Sequence, residues 1–191
     1  MTPRNPFSTP EDRERYERQW RAGNVERKRL ELRTHAHRAT GQAKIDPACK
    51  YLSALNSEDR IGEMLDLIEQ EPAEVFWPIF VGHWWHCDRT FEFSERLIRA
   101  LRRVGPYPKL EPQPKQLTVY RGSARSRIAS VSWTTDIEVA RRFAAGHRGI
   151  PVPDPVVAMA EIGGHEVFWT TNEREESEII CTPRRRTIIE G

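Results

Sequence analysis

Gly105-Pro106-Tyr107-Pro108-Lys109-Leu110-Glu111-Pro112-Gln113-Pro114-Lys115-Gln116 runs directly into Leu117-Thr118-Val119-Tyr120-Arg121-Gly122, and here the chain changes character. Proline fixes φ, has no N–H to donate and drives the residue before it out of the α region. Residues 105–116 therefore form an extended linker in which neither a helix nor a central strand continues. Leu117 to Tyr120 alternates with β-forming side chains and reads as a strand. Before the linker the apolar spacing is helical, and after it strands dominate. Helices first and strands afterwards predict an α+β fold.

Working back from the linker, residues 89–103 form a helical run with Phe91, Leu97, Ile98 and Leu101, stopped by Gly105-Pro106. A second run starts at Ala73, with a kink expected at Pro78 and an interruption at Gly82. Ser57-Glu58-Asp59-Arg60 reads as a helix start, with Ile61, Leu65 and Ile68 on one face and Glu71-Pro72 as the stop. Residues 11–38 are rich in Arg and Glu. Glu14/Arg18 and Glu17/Arg21 stand at i,i+4, which predicts a solvated helix, broken or bent near Gly23-Asn24. Basic residues outnumber acidic ones over 1–40, but the two signs interleave, which favours a solvated face over a nucleic-acid arm. The domain plan is a charged helical arm or tail (1–40) and a single domain (41–191). That domain comprises a helical layer (41–104), the linker (105–116) and a β core (117–191).

Working forward, Ile128 to Trp133 reads as a strand, and Thr135-Asp136-Ile137-Glu138 as a capping box. It opens a helix with Val139, Ala140, Phe143 and Ala144 at helical spacing. Gly149 to Pro155 is a Pro-rich loop. Val156–Ile162, Val167–Trp169, Ile179–Thr182 and Thr187–Ile189 complete the strands.

At 191 residues, with 38% hydrophobic and 30% charged residues, the chain can bury one core. Six Trp, seven Phe and four Tyr exclude a disordered chain, and a net charge of +2 selects no partner. Cys49, Cys87 and Cys181 are odd in number and widely spaced, which predicts reduced thiols and neither a disulfide framework nor a zinc site. Met1 to Pro6 leads into a charged stretch with no apolar h-region, and Val75–Trp85 is too short to cross a membrane. A cytoplasmic location without membrane attachment is expected.

Three short elements carry chemistry. Val119-Tyr120-Arg121-Gly122 ends a strand with an Arg and a Gly. Ser130-Val131-Ser132-Trp133-Thr134 puts hydroxyls on one strand face and apolar bulk on the other. Glu176-Ser177-Glu178 sets two carboxylates two apart at the edge of an apolar strand. Carboxylates that close raise each other's pKa, and such a pair can divide labour, one stabilising a developing cation and the other taking a proton. A sugar oxocarbenium ion is the kind of cation a carboxylate stabilises. An Arg beside a Gly that admits a ligand to the backbone suits a pyrophosphate. Alone, each element is an ordinary strand end or acidic loop; their order on successive strands is what points to glycosidic cleavage of a phosphate-bearing sugar.

In that order the chain resembles the Arg-Ser-Glu class of mono-ADP-ribosyltransferases, which includes clostridial binary toxins, insecticidal and phage enzymes and vertebrate ecto-transferases. Leu117–Gly122 is similar to the family's first catalytic strand. Ser132-Trp133-Thr134 is similar to its Ser-Thr-Ser element, with Trp and Thr in the second and third places. Glu176-Ser177-Glu178 is similar to its Glu-x-Glu element. The likeness spans roughly 115–183. It implies N-terminal helices packed on a mixed, mainly antiparallel β core of the split β-sandwich type. It also implies NAD+ as substrate, bound by Tyr120, Arg121, Gly122, Ser132, Thr134 and Phe143. Ser132 would orient Glu178, Glu178 would stabilise the oxocarbenium ion, and Glu176 would activate the acceptor. Phe168, Trp169 and Thr170 would lie in a loop facing that acceptor. The partners implied are a protein arginine or a nucleic acid as acceptor, and a cognate antitoxin or immunity protein if the role is that of a toxin or effector. The catalytic segment is short for the family, which makes the helices an integral layer against the sheet. An NAD+ glycohydrolase, and a non-catalytic binding module on a degenerate fold, are the alternatives.

His83-Trp84-Trp85-His86-Cys87-Asp88 also places two histidines at i,i+3. With no second ligand pair in the sequence, aromatics around two His read as a helix–sheet seam, and no metal is expected. Arg141-Arg142 and Arg184-Arg185-Arg186 read as solvated, with an RNA or DNA contact as the alternative.

Overall fold

Six helices and a six-stranded antiparallel sheet make up the computed structural model, which describes residues 10–146 and 150–191. Met1 to Pro6, His147 and Gly149 lie outside them. The helices are α1 (Pro10–Arg38), α2 (Ile45–Ser53), α3 (Ser57–Ile68), α4 (Ala73–His83), α5 (Ser94–Val104) and α6 (Ile137–Ala145). The strands are β1 (Gln116–Ala124), β2 (Ser132–Thr134), β3 (Pro155–Gly163), β4 (Val167–Thr171), β5 (Glu178–Cys181) and β6 (Thr187–Glu190). Strand order is β4-β5-β2-β1-β3-β6, and each neighbouring pair is antiparallel. The α+β class is therefore seen. The expected mixed pairing is not, and hydrogen bonding runs through one continuous sheet rather than two separate halves.

α1 is one 29-residue helix that passes straight through Gly23-Asn24. A single glycine costs a helix only about 1 kcal/mol, and the flanking Arg18–Glu14 and Arg21–Glu17 pairs form as their spacing predicts. The far end of α1 docks: Ala36 is buried, and Arg29 and Arg33 reach Asp59 and Glu63 of α3. No helix among the described residues is long and apolar enough to cross a membrane.

α4 runs unbroken through Pro78 and Gly82, burying Val75, Phe76, Trp77, Ile79 and Phe80 and exposing the stripe Glu74, Pro78 and Gly82. Phe76, Phe80 and Trp84 recur every fourth residue and stack, with centroids 5.4 and 5.1 Å apart. Trp77 meets Phe80 edge-on, and so does Trp169 of β4. Through Val131, Phe168, Trp169 and Ile180 the helical layer and the sheet share one apolar core. The opposite face of the sheet buries Val119, Trp133, Ala158, Ile162 and Ile179 beneath Leu110 of the linker.

Candidate active site

The site is a row across four strands. Facing residues of antiparallel strands share a face, and Tyr120 faces Thr134, Thr134 faces Glu178, and Glu178 faces Thr171. Ile180, two residues on from Glu178, is buried under the helices; Glu178 sits where that cover stops.

β2 is only three residues long. The chain leaves β1 through a 3-10 turn at Arg125–Arg127, and the Trp133 indole donates back to the Ser130 carbonyl at 2.9 Å. Strand pairing therefore starts at Ser132, not at Ile128. Ser130, expected beside Ser132 and Thr134, lies buried ahead of the strand. Val131 and Trp133, expected on one face, pack into the two different cores.

Ser132 donates to Glu178 Oε1 at 2.5 Å, a diagonal contact between paired strands. The Trp84 indole donates to both carboxylate oxygens at 3.1 Å. Burial raises the Glu178 pKa above the ordinary glutamate value. The bonds from Ser132 and Trp84 oppose that rise, Glu176 adds to it, and Arg174 lowers it. Arg121 donates to the carbonyls of Ser132 (2.6 Å) and Arg127 (3.3 Å), which fixes the plane of its guanidinium. Burial lowers its pKa to about 10, so it remains cationic at neutral pH.

Glu176 lies in the turn Asn172–Ser177 and not on the strand, so it does not share a pleat with Glu178 as its spacing suggested. It faces the same cleft all the same. Thr134 Oγ1 donates to the Glu176 carbonyl at 2.7 Å and accepts from Asp136 N–H at the start of α6, and Asn172 Oδ1 accepts from Ser177 N–H. The α6 cap is Asp136, not Thr135. Glu175 and Ser177 have φ of 56° and 44°, and Arg89 across the cleft has 56°. Left-handed backbone at non-glycine residues is costly and gathers at functional sites.

Two adjoining cavities of about 210 and 200 Å³ meet at Ser132, Phe143, Glu176 and Glu178. One runs past Trp84, Trp85, Asp88, Arg89, Thr171 and Arg174, and the other past Tyr120, Arg121, Thr134 and Val139. The geometry thus gathers Tyr120, Arg121, Gly122, Ser132, Thr134, Phe143, Glu176 and Glu178. It does not gather the expected acceptor loop. Phe168 and Trp169 are β4 residues buried in the core, Thr170 is half-buried on the same strand, and the exposed turn beside the cleft is Asn172–Ser177. Gly122 also differs from expectation: a Cβ there would collide with the Ala140 carbonyl, so the glycine admits α6 to the sheet rather than a ligand to the backbone.

The sequence reading missed the wall formed by residues 84–90. Arg60 donates to the carbonyls of Leu52, Leu55 and His86, while Ser57 and Asp88 exchange two hydrogen bonds. These clamps hold Trp84 against Glu178. His83 is buried, with its pKa lowered to about 4 by desolvation and then by Arg60 and His86. Among the described residues no group of three His, Cys, Asp or Glu could hold a metal ion.

A carboxylate fixed by two donors between two grooves, with a guanidinium along one and a second carboxylate beside it where the grooves meet, can bind an anion on one side and stabilise a cation at the junction. Comparison with known proteins gives no family model, no curated protein and no solved structure that matches the chain.

Proposed function

We propose that the protein is a mono-ADP-ribosyltransferase that cleaves the nicotinamide–ribose bond of NAD+ and transfers ADP-ribose to a macromolecular acceptor. The observation that carries this reading is the Glu178 carboxylate, held by Ser132 and Trp84 at the junction of the two grooves with Arg121 along one of them. In this reading the Arg121 guanidinium binds the pyrophosphate. The C–N bond to nicotinamide breaks, and nicotinamide leaves with the electron pair. Glu178 stabilises the resulting oxocarbenium ion. Glu176 accepts the proton from the acceptor nucleophile as it bonds to the anomeric carbon.

Asp88, Glu173, Glu176 and Glu178 line the outer groove against Arg89 and Arg174. That balance favours a cationic protein side chain, such as arginine, over a polyanionic nucleic acid.

The test is Glu176→Gln with adenine-labelled NAD+ and a protein lysate, reading labelled protein and free nicotinamide from the same reaction. Transfer is expected to fall roughly 100-fold or more, the share a general base typically supplies, while slow hydrolysis persists. Parallel loss of both products would assign Glu176 to cleavage or structure. Label on RNA or DNA instead of protein would overturn the acceptor assignment. Nicotinamide release with no labelled macromolecule would make the wild-type enzyme a glycohydrolase.

A further inference from the structure

Trp84 reaches the site from the helical layer, 94 residues away in sequence from the carboxylate it contacts. Its side chain is 4% exposed, and its ring is stacked on Phe80. The indole has one N–H, and it is shared between the two oxygens of Glu178, both at 3.1 Å. A single donor centred on a carboxylate fixes the direction in which that group points, and Ser132, bonded to one oxygen, then fixes its rotation. We infer that Trp84 is the positioning residue of this reaction: its indole N–H, clamped by the helical layer, sets the orientation of the Glu178 carboxylate. The inference rests on the proposed role of Glu178 in stabilising the cation.

Packing alone does not account for the contact. The aromatic ladder Phe76–Phe80–Trp84 would be equally apolar with Phe at its end, but a Phe would leave the inner side of a desolvated carboxylate without its donor. A hydrogen bond to a charged group favours that charge. Glu178 faces Glu176 and Arg174 from its own turn and interacts electrostatically with Arg121 of β1, and Asp88 and Arg89 line the same cleft. Among these, Trp84 is a donor that cannot itself titrate, so it supports the anion at every pH.

The test is Trp84→Phe, which keeps the ring and removes the N–H. The carboxyl carbon of Glu178, followed by NMR, is expected to titrate roughly one to two units higher than in the wild type, the equivalent of one hydrogen bond to a charged group. Turnover for nicotinamide release is expected to fall roughly ten- to a hundredfold, with KM for NAD+ within about twofold. Its acid limb should move upward in step with the Glu178 titration, which a merely structural role would not produce. An unchanged Glu178 titration in folded Trp84→Phe would overturn the inference. If Trp84→Phe does not fold, the wild type and Glu178→Gln decide. The Trp84 indole N–H resonance must move as Glu178 titrates and must shift in Glu178→Gln, and indifference to both overturns the contact. A wild type that releases no nicotinamide, yet shows the coupled titration, sinks the transferase reading while the Trp84–Glu178 coupling stands.

Discussion

Arginine at position 121 differs from lysine in more than reach. The guanidinium spends donors on the carbonyls of Ser132 and Arg127 and still presents a planar fork to the groove. An ammonium has three donors on one atom and cannot do both in the same geometry. A lysine in this desolvated position would also have its pKa pushed down and lose part of its charge. Arg121→Lys should therefore weaken NAD+ binding by about 1.5–3 kcal/mol, the value of a charge-assisted hydrogen bond, as read by calorimetry; equal affinity would make Arg121 a strand-end residue with no ligand. Ser132 and Glu178 were legible in the sequence as a hydroxyl and a carboxylate on strands, and Arg121 as a cation at a strand end; their order along the chain is what grouped them. Trp84 was not. Its contact depends on how α4 crosses the sheet, and no local pattern encodes a partner that far along the chain.

Strands bounded by turn residues came through from the sequence even when short, as β4, β5 and β6 did, whereas elements without a clear boundary or period did not. β1 is recognisable from the alternation of Leu117-Thr118-Val119-Tyr120, and β3 from the apolar run Val156–Ile162, broken only at Glu161. α2, also nine residues, carries Pro47 in its first turn and too few repeats to establish a period, and it was missed. β2 was overextended because Ile128–Val131 has strand-like composition, whereas the 3-10 turn before it and the Trp133–Ser130 bond curl the chain away from the sheet. Gly122 looked like a ligand glycine because nothing in β1 reveals that α6 returns to pack on it. Its function makes a separate prediction. Gly122→Ala forces α6 off β1 or bends the strand, and overpacking of this kind costs about 1–3 kcal/mol. For a chain of this size that is a melting-point drop of roughly 2–10 °C, to be measured by thermal unfolding. An unchanged melting point with impaired NAD+ binding would restore the ligand role to the glycine.

At the scale of the whole molecule, the cleft has walls from four separated stretches: residues 84–90 of the helical layer, residues 120–122 of β1, residues 132–143 of β2 and α6, and residues 171–178 at the β4–β5 turn. The core shared by helices and sheet holds them in register, since Val131, Phe168, Trp169 and Ile180 of the sheet side pack with α2, α3, α4 and α5. The helices thus build part of the site as well as supporting it, because the donor on Glu178 and the Asp88–Thr90 wall both come from them. Every part of that arrangement converges on one carboxylate. The direct measurement is nicotinamide release from NAD+ by wild type and by Glu178→Gln, with far-UV circular dichroism and melting point matched between the two. Glutamine keeps the shape and removes the charge beside the forming cation. The wild type should release nicotinamide, and the variant should be slower by roughly 100- to 1000-fold, about 2.7–4 kcal/mol of barrier. Equal rates in the two proteins, or no release by the wild type, would contradict the assignment of Glu178 as the group that stabilises the oxocarbenium ion.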